Sequence, residues 1–319
     1  MLWHEPAKLA EVQRPLPSVT PEATLSALEE SVEVLIAQAE RSRLNLYAIR
    51  CGVSDIFNPE TGLLLHSPSM GWSNVDLKAL MHSETCSALL SFSNATNLAA
   101  LAEARLRRES STTICQDFLY ISGSTGLGAA WVRGGTVDPG PHGWAGEIGH
   151  LPIADESLAC SCGSNGCLEA AAGIHSILNA TGIGDNAPFG LLLAKLHKGD
   201  KVATRIVSRA DRLLGKALAI YCNLVDAPAI VLGGQYRLLV PYMSESISTQ
   251  LKAHTLSYEW RPVSLETSLL GDEATSVGAA QACISEFLQE PDKWLIPPGG
   301  WQKQVQIGAI VPAELKEEF

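Results

Sequence analysis

Positive charge is scarce in this chain: 23 Lys and Arg stand against 34 Asp and Glu, for a net charge of −11. An acidic chain gains little from counterion release on nucleic acid, and its field repels phosphate. The densest cationic stretch, EARLRRES from Glu103 to Ser110, is too short for a basic stripe and reads as a solvated helix end. No direct nucleic-acid contact is therefore expected of this chain. Long apolar runs are also missing, since Ile230-Val231-Leu232 falls far short of the ~18 residues that span a membrane. The opening residues MLWHEPAKLAEVQRPLP carry charge and proline where a signal peptide needs an unbroken apolar stretch. A cytoplasmic protein without a membrane partner is expected. Aromatics make up only 6%, yet 46% of residues are hydrophobic and 18% charged, as in a globular protein with a substantial core. At roughly 100–200 residues per domain, the length favours two lobes.

A disulfide framework is absent as well. Such frameworks spread cysteines through small, loop-rich secreted chains. Here Cys51, Cys86, Cys115, Cys222 and Cys283 are scattered among apolar neighbours and read as small buried hydrophobes. Cys160, Cys162 and Cys167 instead cluster, and with His150 they give H-x9-C-x-C-x4-C. One imidazole and three thiolates make a closed tetrahedral set, the ligand field of a structural zinc. A catalytic zinc keeps a position open for water, and soft sulfur ligands argue against magnesium or calcium. Gly163 and Gly166 permit the tight turns between the cysteines. Glu147 and Glu169 flank this knot, which would hold their carboxylates where a polyol could donate hydrogen bonds to them.

Elsewhere the chain alternates between helix and strand signals. Thr20-Pro21-Glu22 is a helix start, and Leu25, Leu28, Val32, Leu35 and Ala39 follow on one stripe. Leu44–Cys51 reads as a strand, and NPETG (Asn58 to Gly62) as a turn before the strand LLLHS. Asn97–Arg107 is helical by composition; Phe118–Ser122 and Ala129–Arg133 are strands around a glycine-rich turn. Ser208–Val225 is a long helix, Pro228–Gly234 a buried strand ending in two glycines, and Leu238–Ala253 a helix. VSLETSLLG is a strand or turn, Glu273–Glu290 a helix, and the tail from Pro291 an irregular extension. This alternation predicts an α/β architecture.

GWAGEIGH followed by CSCGSNGCLE resembles the signature of the ROK family (repressors, open reading frames and sugar kinases). TGLLLHSPSMGW (Thr61 to Trp72) resembles its sugar-side loop, SGSTGLGAAWVRGG its glycine-rich phosphate hairpin, LVDAPAIVLGG its adenosine-side strand and GDEATSVGAAQA its C-terminal helix. The resemblance implies an actin-like, ribonuclease H-like, two-lobed ATPase fold of the sugar-kinase type. It places the first lobe at residues 1–92 plus 275–319 and the second, with the zinc knot, at 93–274. It implies a sugar held by Ser69, Asn94, Glu147, His150 and Glu169, with His150 binding zinc through one ring nitrogen and facing the sugar with the other. Gly123, Gly126, Gly128, Gly233 and Gly234 match its nucleotide side. A homodimer is also expected from the resemblance.

Several family features are altered. The general base of the kinases is the Asp of an Asn-Asp-Ala-Asn motif, whereas this chain reads Asn94-Ala95-Thr96-Asn97. Loss of such a base costs about 10²–10⁴-fold in rate. Ser69 replaces the usual Asn, and Gly52-Val53-Ser54-Asp55 replaces Gly-x-Pro-Gly. The opening hairpin with its Asp-x-Gly-x-Thr phosphate loop has no match, so the first lobe is expected to lack that hairpin and ATP with magnesium is not expected as a cofactor. No winged helix-turn-helix of the regulator branch is expected before residue 20. These features predict the sugar-binding core of a ROK-type transcriptional regulator without catalytic residues, a pseudokinase. The alternatives are an ATP-dependent sugar kinase using Asp117 or Asp138 as a relocated base, and a structural or non-functional fragment.

Overall fold

The computed structural model describes residues 10–291, apart from 15, 17, 45, 55, 83–88, 111–115, 124–125 and 185–186. Asp55, Cys86, Cys115 and nearly all of the tail from Pro291 therefore lie outside the described residues. Helix α1 (Pro21–Arg41) starts as its sequence predicts, with the Thr20 hydroxyl accepting from Ala23 N at 3.3 Å and Pro21 in the first turn. Its inner face buries Leu25 and Val32 against an antiparallel sheet of β2 (Ile56–Phe57), β3 (Leu63–Ser67) and β4 (Trp72–Asp76). The same core includes Phe57, Leu64, Trp72, Leu90 and Phe92.

Strand β1 (Ile49–Val53) runs parallel to β5 (Leu90–Asn94), with Ile49 opposite Leu90 and Val53 opposite Asn94. The strand expected from Leu44 begins only at Ile49. Leu44, Leu46 and Tyr47 precede it and are exposed.

At Asn94 the chain turns from β5 into α2 (Ala95–Glu109), the Asn94 Oδ1 accepting from Thr96 N at 2.9 Å and Asn97 N at 3.0 Å. A five-stranded sheet follows, built from β6 (Phe118–Gly123), β7 (Leu127–Arg133), β8 (Thr136–Asp138), β9 (Ala229–Leu232) and β10 (Ser264–Thr267). Its order is β10-β9-β6-β7-β8, parallel from β10 to β6 and antiparallel beyond. The central strands β6 and β9 are buried on both faces, which is why they read as continuous apolar runs.

Short helices α3 (Leu168–Ala172), α4 (Ile174–Ala180) and α5 (Gly190–His197) lead into α6 (Lys201–Val225). The Asp200 side chain caps α6 by accepting from Val202 N and Ala203 N, so the helix starts seven residues before Ser208. Helix α7 (Tyr236–His254) packs on α6 over Leu214, Leu218, Leu239, Met243 and Ile247. Helix α8 (Ala274–Gln289) lies across α2, so close that a Cβ at Gly278 would sit 1.8 Å from the Leu98 carbonyl oxygen.

The stretch Glu103–Ser110, expected to be solvated, is solvated only at its end. Glu103 and Arg107 are buried, at 0% and 4% exposure. Arg107 Nε donates to Glu103 Oε1 at 2.6 Å and its Nη1 pairs with Glu266, while Ser268 Oγ donates to Glu103 Oε2 at 2.7 Å. Each buried charge has partners, which is the condition for burying it. Of the scattered cysteines that are described, Cys222 is buried, while Cys51 and Cys283 are half-buried. Among the described residues no helix is long and apolar enough to cross a membrane.

Candidate functional site

Beyond β8 the chain leaves the sheet in a glycine-punctuated loop. Gly140, Gly143 and Gly146 all have positive φ, and Gly146, at +102°, presses against β7: a Cβ there would lie 1.9 Å from the Ala129 oxygen. Only glycine fits, and this close approach sets the positions of Glu147 and of the single 3₁₀ turn Ile148–His150. The following loop folds back on itself through two isolated bridges, Pro152 with Cys167 and Ala159 with Asn165.

These constraints bring four ligand atoms, from His150, Cys160, Cys162 and Cys167, within 4.8 Å of one another. Cys162 Sγ and Cys167 Sγ are 3.7 Å apart, and Cys160 Sγ is 3.9 Å from His150 Nδ1. A tetrahedral zinc with Zn–S of about 2.3 Å requires an S···S edge of about 3.8 Å. The donor set and its spacing both fit that ion. Burial, and then the neighbouring Cys162 and Cys160 thiols, push the Cys167 thiol up to about 12. Three crowded thiols become thiolates together only when a cation compensates them.

The knot hands its geometry on to both flanks. His150 directs Nδ1 to the sulfurs and leaves Nε2 3.9 Å from Glu147 Oε2. Glu169, in the first turn of α3, accepts from Leu127 N at 2.7 Å and so braces the β6–β7 hairpin. Beneath it, Tyr236 is fully buried and its hydroxyl donates to Ala172 O at 2.6 Å. Burial, and then the charge on Glu169, push the Tyr236 phenol up, so it stays a donor.

A polar pocket of about 80 Å³ opens over this edge, and Asn94, Ala95, Gly126, Gly128, Glu147, His150 and Glu169 all line it. Ser54, Thr96, Ser122 and Thr275 line it too, and sequence reasoning had assigned them no role. Thr96 lay inside the motif already singled out, and Thr275 inside the C-terminal helix segment; their hydroxyls were the available signal. Ser69 is not brought to this pocket: it sits in the turn between β3 and β4.

The glycines divide in the same way. Gly126 and Gly128 form the pocket floor, where a Cβ would lie 3.1 Å from Glu169 Oε2 and 2.7 Å from Thr96 Oγ1 respectively. Gly123, Gly233 and Gly234 lie outside it. Gly123 admits the Tyr236 ring and Gly233 the Tyr120 hydroxyl, with a Cβ meeting them at 2.2 and 2.1 Å; Gly234 (φ +54°) abuts Gly123. Each of these three glycines thus has a close packing partner. Asp117 accepts from Gly134 N and Asp138 from Gly140 N, and neither lines the pocket.

The model of the ROK family matches residues 4–286. The chain belongs to the ROK family. Similar relatives within it are of two kinds. A putative xylose repressor from Caldicellulosiruptor sp. (strain Rt8B.4) is 26% identical over 286 residues, covering 85% of this chain and 71% of that protein. A glucokinase from Halalkalibacterium halodurans is 26% identical over 268 residues, covering 79% of this chain and 80% of the kinase. Among solved structures, a ROK glucokinase from Streptomyces griseus in complex with glucose and AMPPNP superposes with a TM-score of 0.65 at 25% identity, covering 80% of this chain and 87% of the other. The α/β architecture described above is thus the actin-like sugar-kinase fold.

Proposed function

We propose that this chain is the sugar-sensing core of a ROK transcriptional regulator and does not transfer phosphate. Its two lobes would comprise residues 1–92 with 275–319, and residues 93–274. The observation that carries this reading is the make-up of one small pocket. Asn94, Glu147, His150 and Glu169 line it with amide, carboxylate and imidazole groups suited to vicinal hydroxyls. Ala95, whose methyl can accept no proton, lines it too, at the position that matches the family's general base. Among the described residues the only carboxylates lining the pocket are Glu147 and Glu169, one beside His150 and the other held by Leu127 N. A zinc held by His150, Cys160, Cys162 and Cys167 would brace the sugar-facing edge structurally.

The test is a panel of hexoses, pentoses and N-acetylhexosamines, scored by thermal stability and by ATP-dependent product formation. A sugar at a hundred times its Kd should stabilise the fold by about 2.7 kcal/mol. Glu169→Gln, whose amide oxygen can still accept from Leu127 N, should weaken that sugar roughly tenfold, because bonds to a charged acceptor are the stronger ones. A phosphorylated sugar formed by the unaltered protein would overturn the regulator reading and establish a kinase.

A further inference from the structure

The polar pocket is too small to enclose a whole pyranose, so a sugar gripped there projects beyond it. Across Asn94, which lines both, lies a second cavity of about 740 Å³. Small-molecule sites typically measure about 300–1,000 Å³ and combine apolar and aromatic walls with a few polar groups. This cavity fits that description. Trp144 and His142 stand on its wall with ring centroids 5.2 Å apart, and Trp144 is 39% exposed despite its size. Trp144 Nε1 donates to Phe57 O at 2.9 Å, which fixes the indole as a preset platform between the two halves of the molecule. The same loop carries Trp144 to this cavity and Glu147, three residues on, to the polar pocket.

The chemistry of the wall narrows the occupant. Asn58, Asn94 and Asn97 bring three side-chain amides; the Asn58 and Asn94 oxygens already accept from backbone N–H groups, which leaves their NH2 groups to donate to hydroxyls. Among the described residues Arg50 is the only lysine or arginine on the wall, and its two terminal nitrogens are engaged by Glu286 and by Ser93 Oγ at 3.0 Å. Among the described residues a phosphate-bearing ligand would find no terminal guanidinium nitrogen or ammonium free of a carboxylate or hydroxyl partner. A neutral ring with one apolar C–H face and peripheral hydroxyls matches an aromatic platform ringed by amides.

Building on the sugar-sensing reading, we propose that the ligand is a disaccharide, with one ring held by Glu147, His150 and Glu169 and the second laid on Trp144. Isothermal titration of the full chain with matched pairs, each monosaccharide against its α-1,4- and β-1,4-linked disaccharides, tests this. At least one disaccharide should bind tenfold or more tightly than its monosaccharide. Trp144→Ala should erase that ratio while changing the monosaccharide affinity less than threefold. Leu101→Trp, which fills the cavity from α2 without touching the loop, should erase it independently. Equal affinity for one ring and two, or a ratio untouched by both variants, overturns the second-ring proposal and leaves the sugar reading standing. Binding of no saccharide of either size overturns both.

Discussion

Two sets of residues that line the polar pocket are built by opposite means. Glu147, His150 and Glu169 are held by directional chemistry: a four-ligand knot, a carboxylate on a backbone amide, and a buried phenol beneath. Ala95, Gly126 and Gly128 offer no polar side chain, and the two glycines pack closely against Glu169 and Thr96. Rigid placement of hydrogen-bonding groups is what recognition requires, whereas proton and phosphoryl transfer require groups that act. On the proposed reading the pocket keeps the first set, and the position that matches the family's general base carries only the Ala95 methyl.

The comparison breaks most severely if the knot is removed. Cys167 is 1% exposed, so Cys167→Ser would leave a buried hydroxyl among thiols and three ligands for the ion. A structural zinc couples its binding energy to folding. We expect one zinc per chain by metal analysis in the unaltered protein and its loss in the variant. Tm should fall by about 10 °C or more, with loss of all sugar response. Chelation should reproduce the loss of sugar response; an unchanged sugar affinity after complete zinc removal would mean that the recognition edge stands without its brace.

A smaller, purely steric break lies at Gly146. A Cβ there collides with the Ala129 carbonyl at 1.9 Å in a backbone region that side chains avoid, so Gly146→Ala should cost about 2–4 kcal/mol in urea unfolding. Gly143 has a positive φ too, but a Cβ there meets only Pro59 at 3.8 Å, so Gly143→Ala should cost about 1–2 kcal/mol. Similar costs at the two positions would show that the close approach to β7 is not what fixes Glu147.

The same contrast explains what the sequence made legible. Knot chemistry is local and written in residue types: His150, Cys160, Cys162 and Cys167 advertise their ligand field by identity and spacing, and the fold brings them together. Strands β6 and β9 and helices α1 and α8 were readable for a similar reason, since apolar runs, caps and stripes are near-neighbour patterns. Long-range contacts were not. The burial of Glu103 and Arg107 is set by Glu266 and Ser268 from distant strands and loops, and the surroundings of Gly233 by a tyrosine far away in sequence. A glycine looks the same in a sequence whether it admits a phosphate or a phenol. The large cavity beside Asn94 was invisible for the same reason, because its walls come from five separate segments.

The smallest expected effect is the one that sharpens the comparison most. Ala95 is the first residue of α2, directly after the Asn94 cap, so Ala95→Asp places a carboxylate at the positive end of the helix. That position should tolerate or favour the change by about 0.3–1 kcal/mol, and sugar affinity should stay within about threefold. If a base were all the pocket lacked, the variant would phosphorylate sugar, since a general base supplies about 10²–10⁴-fold. Gly126 and Gly128, which line the pocket with Ala95, pack against Glu169 and Thr96, and transfer also needs the phosphates and their metal held in line. We therefore expect Ala95→Asp to bind sugar and to form no product with ATP and magnesium. Product from Ala95→Asp alone would mean that the reacting side is one carboxylate short of function rather than inert throughout.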